Sequence, residues 1–175
     1  MAAKTYIIYN GVQAAAAAPV KQPTGTAIRT MMQVSPLNGI AARVIEWGCS
    51  FDASAAVTPG QVELFDTTVA ATMSTAYASA DIGLYGDQNA PAGSNYFGLT
   101  TVTSGFATAA VTEGTVANYR CFDLQMLDPF STPYMKQFPL GREPELISSG
   151  TLHYLRVRMT FATTVNAYCY VILEV

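Results

Sequence analysis

An all-β domain, a β-sandwich of jelly-roll or Greek-key type, is predicted by three features of this sequence. Apolar residues recur with a period of two along most of the apolar stretches. Proline and glycine punctuate the gaps, as in "SPLNG", "TPG", "LDPFSTP" and "FPLGREP". No segment sustains a helical repeat, and one sheet alone would leave its apolar face wet, so six to eight strands imply two packed sheets.

At the N-terminus, Lys4 precedes a short apolar patch, Tyr6 to Tyr9, and then Asn10 and Gly11. The longer apolar core of a signal peptide is missing, so no export is expected. The alanine tract at 14–18 is too short for an independent helix and ends at Pro19, which predicts an extended N-terminal arm over residues 1–25. Residues 26–175 form the expected single sandwich domain.

In "AIRTMMQV", Ile28, Thr30, Met32 and Val34 share a face. "RVIEWGCSFD" places Ile45, Trp47, Cys49 and Phe51 together, opposite Val44, Glu46, Gly48 and Ser50. "QVELF" and "YRCFDLQML" are further strands, and "TTVAATMSTAYASADIG" is either one short helix or a strand with a loop. "LRVRMTF" sends Leu155, Val157, Met159 and Phe161 inward, with Arg156, Arg158 and Thr160 facing water. The closing "VNAYCYVILEV" alternates Ala167, Cys169, Val171 and Leu173 with Tyr168, Tyr170 and Ile172, so cover is expected on both sides. Trp47 and Leu155 are expected in the core.

Composition narrows the functions. At 175 residues the chain fits one domain that can remove roughly 70% of its unfolded surface from water without metals or disulfides. It is 50% hydrophobic, yet no apolar run reaches the roughly 20 residues that cross a bilayer, so a soluble protein with no membrane partner is expected. The net charge is -3 and the basic residues are scattered, which argues against nucleic acid as a partner. Cys49, Cys121 and Cys169 are far apart, so buried free thiols are expected rather than a metal site. His153 is the only histidine, and sharing parity with Leu155 gives it a structural place. With no nucleophile elbow, zinc-binding helix, P-loop or dinucleotide fingerprint, no catalytic, cofactor-binding or metal residue is assigned, and no enzyme is expected. Glu143 and Glu145 could imitate a glycosidase pair, but neighbouring carboxylates in a turn project into solvent rather than face each other across a cleft.

Two segments are poor in charge. Residues 5–28 carry only Lys21, and residues 67–112 carry only Asp81 and Asp87 beside aromatics that include Tyr85, Tyr96 and Phe97. Interface cores have this composition, so both segments suit subunit contacts, while a loop folded onto its own domain is the alternative. The stiff stretch "FPLGREPEL" stands apart. Pro139 and Pro144 remove two backbone donors, so the segment is expected to cross between strands as a rigid link. It presents Arg142, Glu143 and Glu145 either to a partner or to a carboxylate of its own domain. The candidate partner contacts are Arg142, Glu143, Glu145, Tyr85, Tyr96 and Phe97.

The succession "RVIEWGCSFD", "VELFDTTVAATMS", "FPLGREPEL", "LRVRMTF" and "NAYCYVILEV" resembles the small virion proteins of tailed bacteriophages that decorate or cement the capsid shell. The resemblance spans roughly residues 26–175. It implies a β-rich, homo-oligomeric structural protein, with a trimer as the expected state, made in the host cytoplasm and bound to the major capsid protein on the outside of the virion. It implies no cofactor and no active-site residue. A soluble binding module, for example for glycans, and a tail or head-fibre component are the alternatives.

Overall fold

The computed structural model describes residues 3–13, 20–52, 58–130 and 133–175. The alanine tract at 14–18 lies outside the described residues. In chain order the strands are β1 (Thr5–Tyr9), β2 (Gln22–Pro23), β3 (Arg29–Val34), β4 (Ala41–Asp52), β5 (Gly60–Thr67), β6 (Thr75–Ala76), β7 (Ile82–Leu84), β8 (Gly105–Phe106), β9 (Arg120–Leu127), β10 (Tyr134–Gln137), β11 (Glu145–Ile147), β12 (Tyr154–Thr160) and β13 (Asn166–Glu174). The described residues contain two single 3-10 turns and no α-helix.

Four antiparallel pairs are nested within one another. β5 pairs with β9, β4 with β10, β3 with β12, and β1 with β13. The chain is thus one long ribbon doubled back on itself. The ribbon wraps so that β4 meets β13 and β5 meets β12. Two sheets result: β10-β4-β13-β1-β7, with β11 on β4 and β2 on β13, and β6-β8-β3-β12-β5-β9. They pack as an antiparallel sandwich around one apolar core that includes Trp47, Leu64, Leu155, Phe161 and Val171. Burying each such side chain contributes about 1.5–3 kcal/mol.

The expected alternation holds along half of β4 and then changes face. Glu46 stands opposite Ile172 and Val44 opposite Leu173, so Ile45 is an extra residue without a partner. Such a bulge shifts the parity. Trp47 and Cys49 face the core as expected, whereas on the other side of the bulge it is Ala42 and Val44 that are buried, not the set in register with Ile45.

Two further expectations are corrected. Residues 3–10 are not an arm: β1 lies between β13 and β7, with Tyr6 and Ile8 fully buried. Arg156 and Arg158 do not face water, because residues 107–119 lie over the outer side of the second sheet. Arg156 is fully buried against Glu113 and Thr30, Arg158 pairs with Glu63, and both guanidinium groups cover the Phe65 ring at 5.2 and 4.6 Å. Burial lowers the Arg156 pKa, with Glu113 opposing that shift.

The charge-poor stretch 67–112 belongs to its own domain. It supplies β6 and β8 to the second sheet and β7 to the first, closing one side of the sandwich. The Gln33 side chain secures it, donating to Thr103 O at 3.2 Å and accepting from Ala71 N at 2.7 Å.

Candidate functional site

The two sheets differ in what covers their outer faces. Over β3, β5 and β12 of the second sheet lies the chain's own segment, while the edge strand β9 leaves Leu124 and Met126 52% and 66% exposed. On the first sheet, β4, β13 and β1 present Glu46, Ser50, Tyr168, Tyr170, Thr5 and Tyr9 to open grooves. This corrects the expectation that both sides of β13 are covered: Ile172 is buried, but Tyr168 and Tyr170 are only half-buried.

One groove, of about 780 Å³, lies beside the "FPLGREPEL" stretch. That stretch links β10 to β11, but both pair with β4, so it runs along one edge instead of crossing to another neighbour. Phe138 N–H donates to Ile45 O, and Val44 N–H donates to Pro144 O, each at 2.9 Å. β10 and β11 are therefore two lengths of one edge along β4, parted at the Ile45 bulge. Between them a turn closes with Arg142 N–H donating to Pro139 O at 2.9 Å. Gly141 takes φ +78, a left-handed conformation that a side chain would strain. The prolines sit where the strand leaves the sheet and where it returns, so their missing N–H groups cost no ladder bond. At the tip, Leu140 is 97% exposed.

Arg43 holds the neighbouring carboxylates, at 3.5 Å from Glu145 and 3.9 Å from Glu174. These ion pairs are solvent-exposed and contribute little stability. Four of the six candidate contacts lie around Arg43 and Glu174: Tyr85 and Glu143 in this groove, Tyr96 and Glu145 in an adjoining recess. Arg142 is exposed on the turn and makes no side-chain bond among the described residues. Phe97 is a correction. It is 1% exposed and packs edge-on to Tyr6 at 5.9 Å, so it serves the core and cannot reach a partner.

A second groove, of about 710 Å³, is lined by Tyr9, Tyr134, Met135, Tyr168 and Tyr170. Gly48 makes room for this arrangement. A Cβ there would come within 2.7 Å of the Tyr170 ring and 2.8 Å of Tyr134 O. The Tyr170 hydroxyl donates to Glu46 Oε1 at 2.6 Å. Burial and then that carboxylate raise the Tyr170 pKa, so the hydroxyl stays a donor at neutral pH.

The candidate contacts read from the sequence did not include Arg43, Glu46, Met135, Leu140 or Glu174. The one available signal was the alternation of tyrosine with core residues in "NAYCYVILEV". His153 sits away from this face, with Nδ1 2.9 Å from the buried Asp66 carboxylate that Arg120 also binds. Among the described residues, no cluster of His, Cys, Asp and Glu could hold a metal ion.

Fold and face together define an antiparallel β-sandwich with one sheet covered by its own chain except along its β9 edge and the other open, grooved and rich in tyrosine. No protein-family model matches the chain, and neither does any curated protein or solved structure.

Proposed function

We propose that this protein is a structural component of a tailed-phage virion. In this reading it docks as a homo-oligomer on the outside of the major capsid protein lattice through the open face of its first sheet. The observation that carries the reading is the asymmetry of the two outer faces. On that face Leu140, Tyr85 and Met135 are 97%, 53% and 62% exposed beside the two grooves, which makes it the candidate contact surface. The nested strand pairs are the wrapping of a jelly roll, a fold used in viral capsid and lectin domains. That analogy supports virion and glycan readings alike. The order of segments along the chain favours the virion.

The mechanism is multivalent binding rather than chemistry. A trimer engaging several capsid subunits makes each later contact intramolecular, which raises avidity by roughly 10²- to 10⁴-fold. The charge-poor segments 5–28 and 67–112 no longer supply the argument for oligomers, since the described parts serve the sandwich itself. The open face supplies it instead.

The test mixes purified protein with undecorated capsids and follows co-sedimentation and heat resistance. Binding at micromolar concentration is expected, together with its loss in a Leu140→Asp, Tyr85→Ala variant that retains the wild-type melting temperature. A monomer that leaves capsids unbound would overturn the reading. Saturable binding of that monomer to a glycan array, abolished by Tyr168→Ala, would favour a sugar-binding module, for which the tyrosine-lined groove is the supporting observation.

A further inference from the structure

We propose that Cys49 and Cys169 form a latent cross-strand disulfide, closing in oxidising surroundings to staple β4 to β13. The two residues stand directly opposite each other in the register of these strands. Cys169 N–H donates to Asn10 Oδ1 at 2.8 Å, and its carbonyl accepts from Asn10 N–H at 2.9 Å. In an antiparallel ladder both backbone groups of a residue point to the same side. Those of Cys169 are directed to the β1 side, so it shares no backbone bond with Cys49. Opposed residues of this kind have Cα atoms about 4.5 Å apart, at the short end of the roughly 4.4–6.8 Å that a disulfide spans.

Both side chains enter the same core, with Cys49 3% and Cys169 0% exposed, and both thiols are free. Cys121, the third thiol, is exposed on β9 of the other sheet. A bridge at the short end of the span carries strain and is more easily reduced than most structural disulfides. The pair therefore stays reduced in a glutathione-rich cytoplasm and closes where the surroundings become oxidising. Burial, and then the Asp123 charge, push the Cys49 thiol up to about 12, so thiolate is scarce and exchange in the folded state is slow.

With oxidised glutathione as the oxidant, the step balances. One cysteine thiolate attacks the glutathione disulfide, giving a mixed disulfide and releasing one glutathione. The second thiolate attacks the protein sulfur of that mixed disulfide, forming the Cys49–Cys169 bond and releasing the second glutathione. Two electrons pass to the oxidant, and the two thiol protons end on the two glutathiones.

The experiment refolds the Cys121→Ser chain from denaturant in glutathione buffers that run from fully reduced to fully oxidised, so that burial does not limit access. At the oxidised end the folded protein is expected to be two hydrogens lighter, with a peptide map linking Cys49 to Cys169. Its melting temperature should be higher by about 5 °C or more and should fall back on adding dithiothreitol. Adding Cys169→Ala to the same background should abolish the difference between the two buffers. Folded protein with both thiols free at the oxidised end would overturn the proposal, as would a bridged form that melts no higher than the reduced one.

Discussion

Arg156 is a fully buried cation with a single carboxylate partner among the described residues, Glu113. It lies fully buried between Thr30 and Glu113 and covers the Phe65 ring. Arg156→Ala would leave the Glu113 carboxylate on the outer side of the second sheet without its ion-pair partner, and breaking a buried pair in this way costs about 3–5 kcal/mol. Urea unfolding should show that loss, with a smaller one in an Arg156→Met, Glu113→Gln double variant that removes both charges. Asp123 is a buried carboxylate. It accepts from Trp47 Nε1 at 3.1 Å and from the Tyr134 hydroxyl at 2.6 Å, with Lys136 at 3.0 Å. Burial would raise its pKa, but the hydrogen bonds from Tyr134, Gln125 and Lys136 together hold it below the ordinary value. A depressed folded-state pKa adds stability above the unfolded value of about 3.9, and that stability is lost as pH falls through the folded value. Acidification below about pH 4 should therefore weaken the wild type more steeply than Asp123→Asn, as denaturant midpoints across that range would register.

At the scale of elements, β13 is the hinge of the design, because β4 flanks it on one side and β1 and β2 on the other. Its neighbour β1 is an interior strand. Deleting residues 1–10 removes Tyr6 and Ile8 from the core, at about 1.5–3 kcal/mol each, and strips the ladder from both β13 and β7. Against a net stability of about 5–15 kcal/mol, the truncated chain should lose its near-ultraviolet circular dichroism and become sensitive to protease. A truncation that kept both native signals would contradict the place of β1. Gly48 carries a related constraint across β4, β10 and β13. Gly48→Ala forces a methyl group against the Tyr170 ring and a backbone oxygen, and overpacking of this kind costs about 1–3 kcal/mol, readable as a lower urea midpoint.

For the whole molecule, the main core cluster draws on both sheets and on the 67–112 stretch, which contributes Tyr77, Ile82, Phe97 and Phe106, while Ala71, Met73 and Ala107 form a small second cluster beside it. One cooperative unit should follow, so melting observed by far-ultraviolet circular dichroism and by Trp47 fluorescence should coincide. Separate transitions would mean that the 67–112 stretch folds by itself. The open face of the first sheet is the part of the molecule that this cooperativity does not require. Changes at Leu140 or Tyr85 should accordingly leave melting unchanged and act on docking alone.

The positions of β3, β4, β5, β9, β12 and β13 and the buried places of Trp47 and Leu155 were legible in the sequence because a strand with one face in the core writes a period of two into its own residues, whereas β1, β10 and β11 were not read as strands. The conformation of the Pro139–Arg142 turn was legible in part, since proline and glycine carry their backbone restrictions with them. What tertiary structure alone decided was which face of each strand stays open. Arg156 reads as a solvent residue in "LRVRMTF", yet a segment some forty residues earlier in the chain covers it. Tyr168 and Tyr170 read as covered, yet their side of the sheet is open to two grooves. The bulge at Ile45 and the insertion of β1 between β13 and β7 were hidden for the same reason. Local sequence records the alternation within a strand, whereas cover, register and neighbours depend on contacts between residues far apart in the chain, which no local pattern encodes.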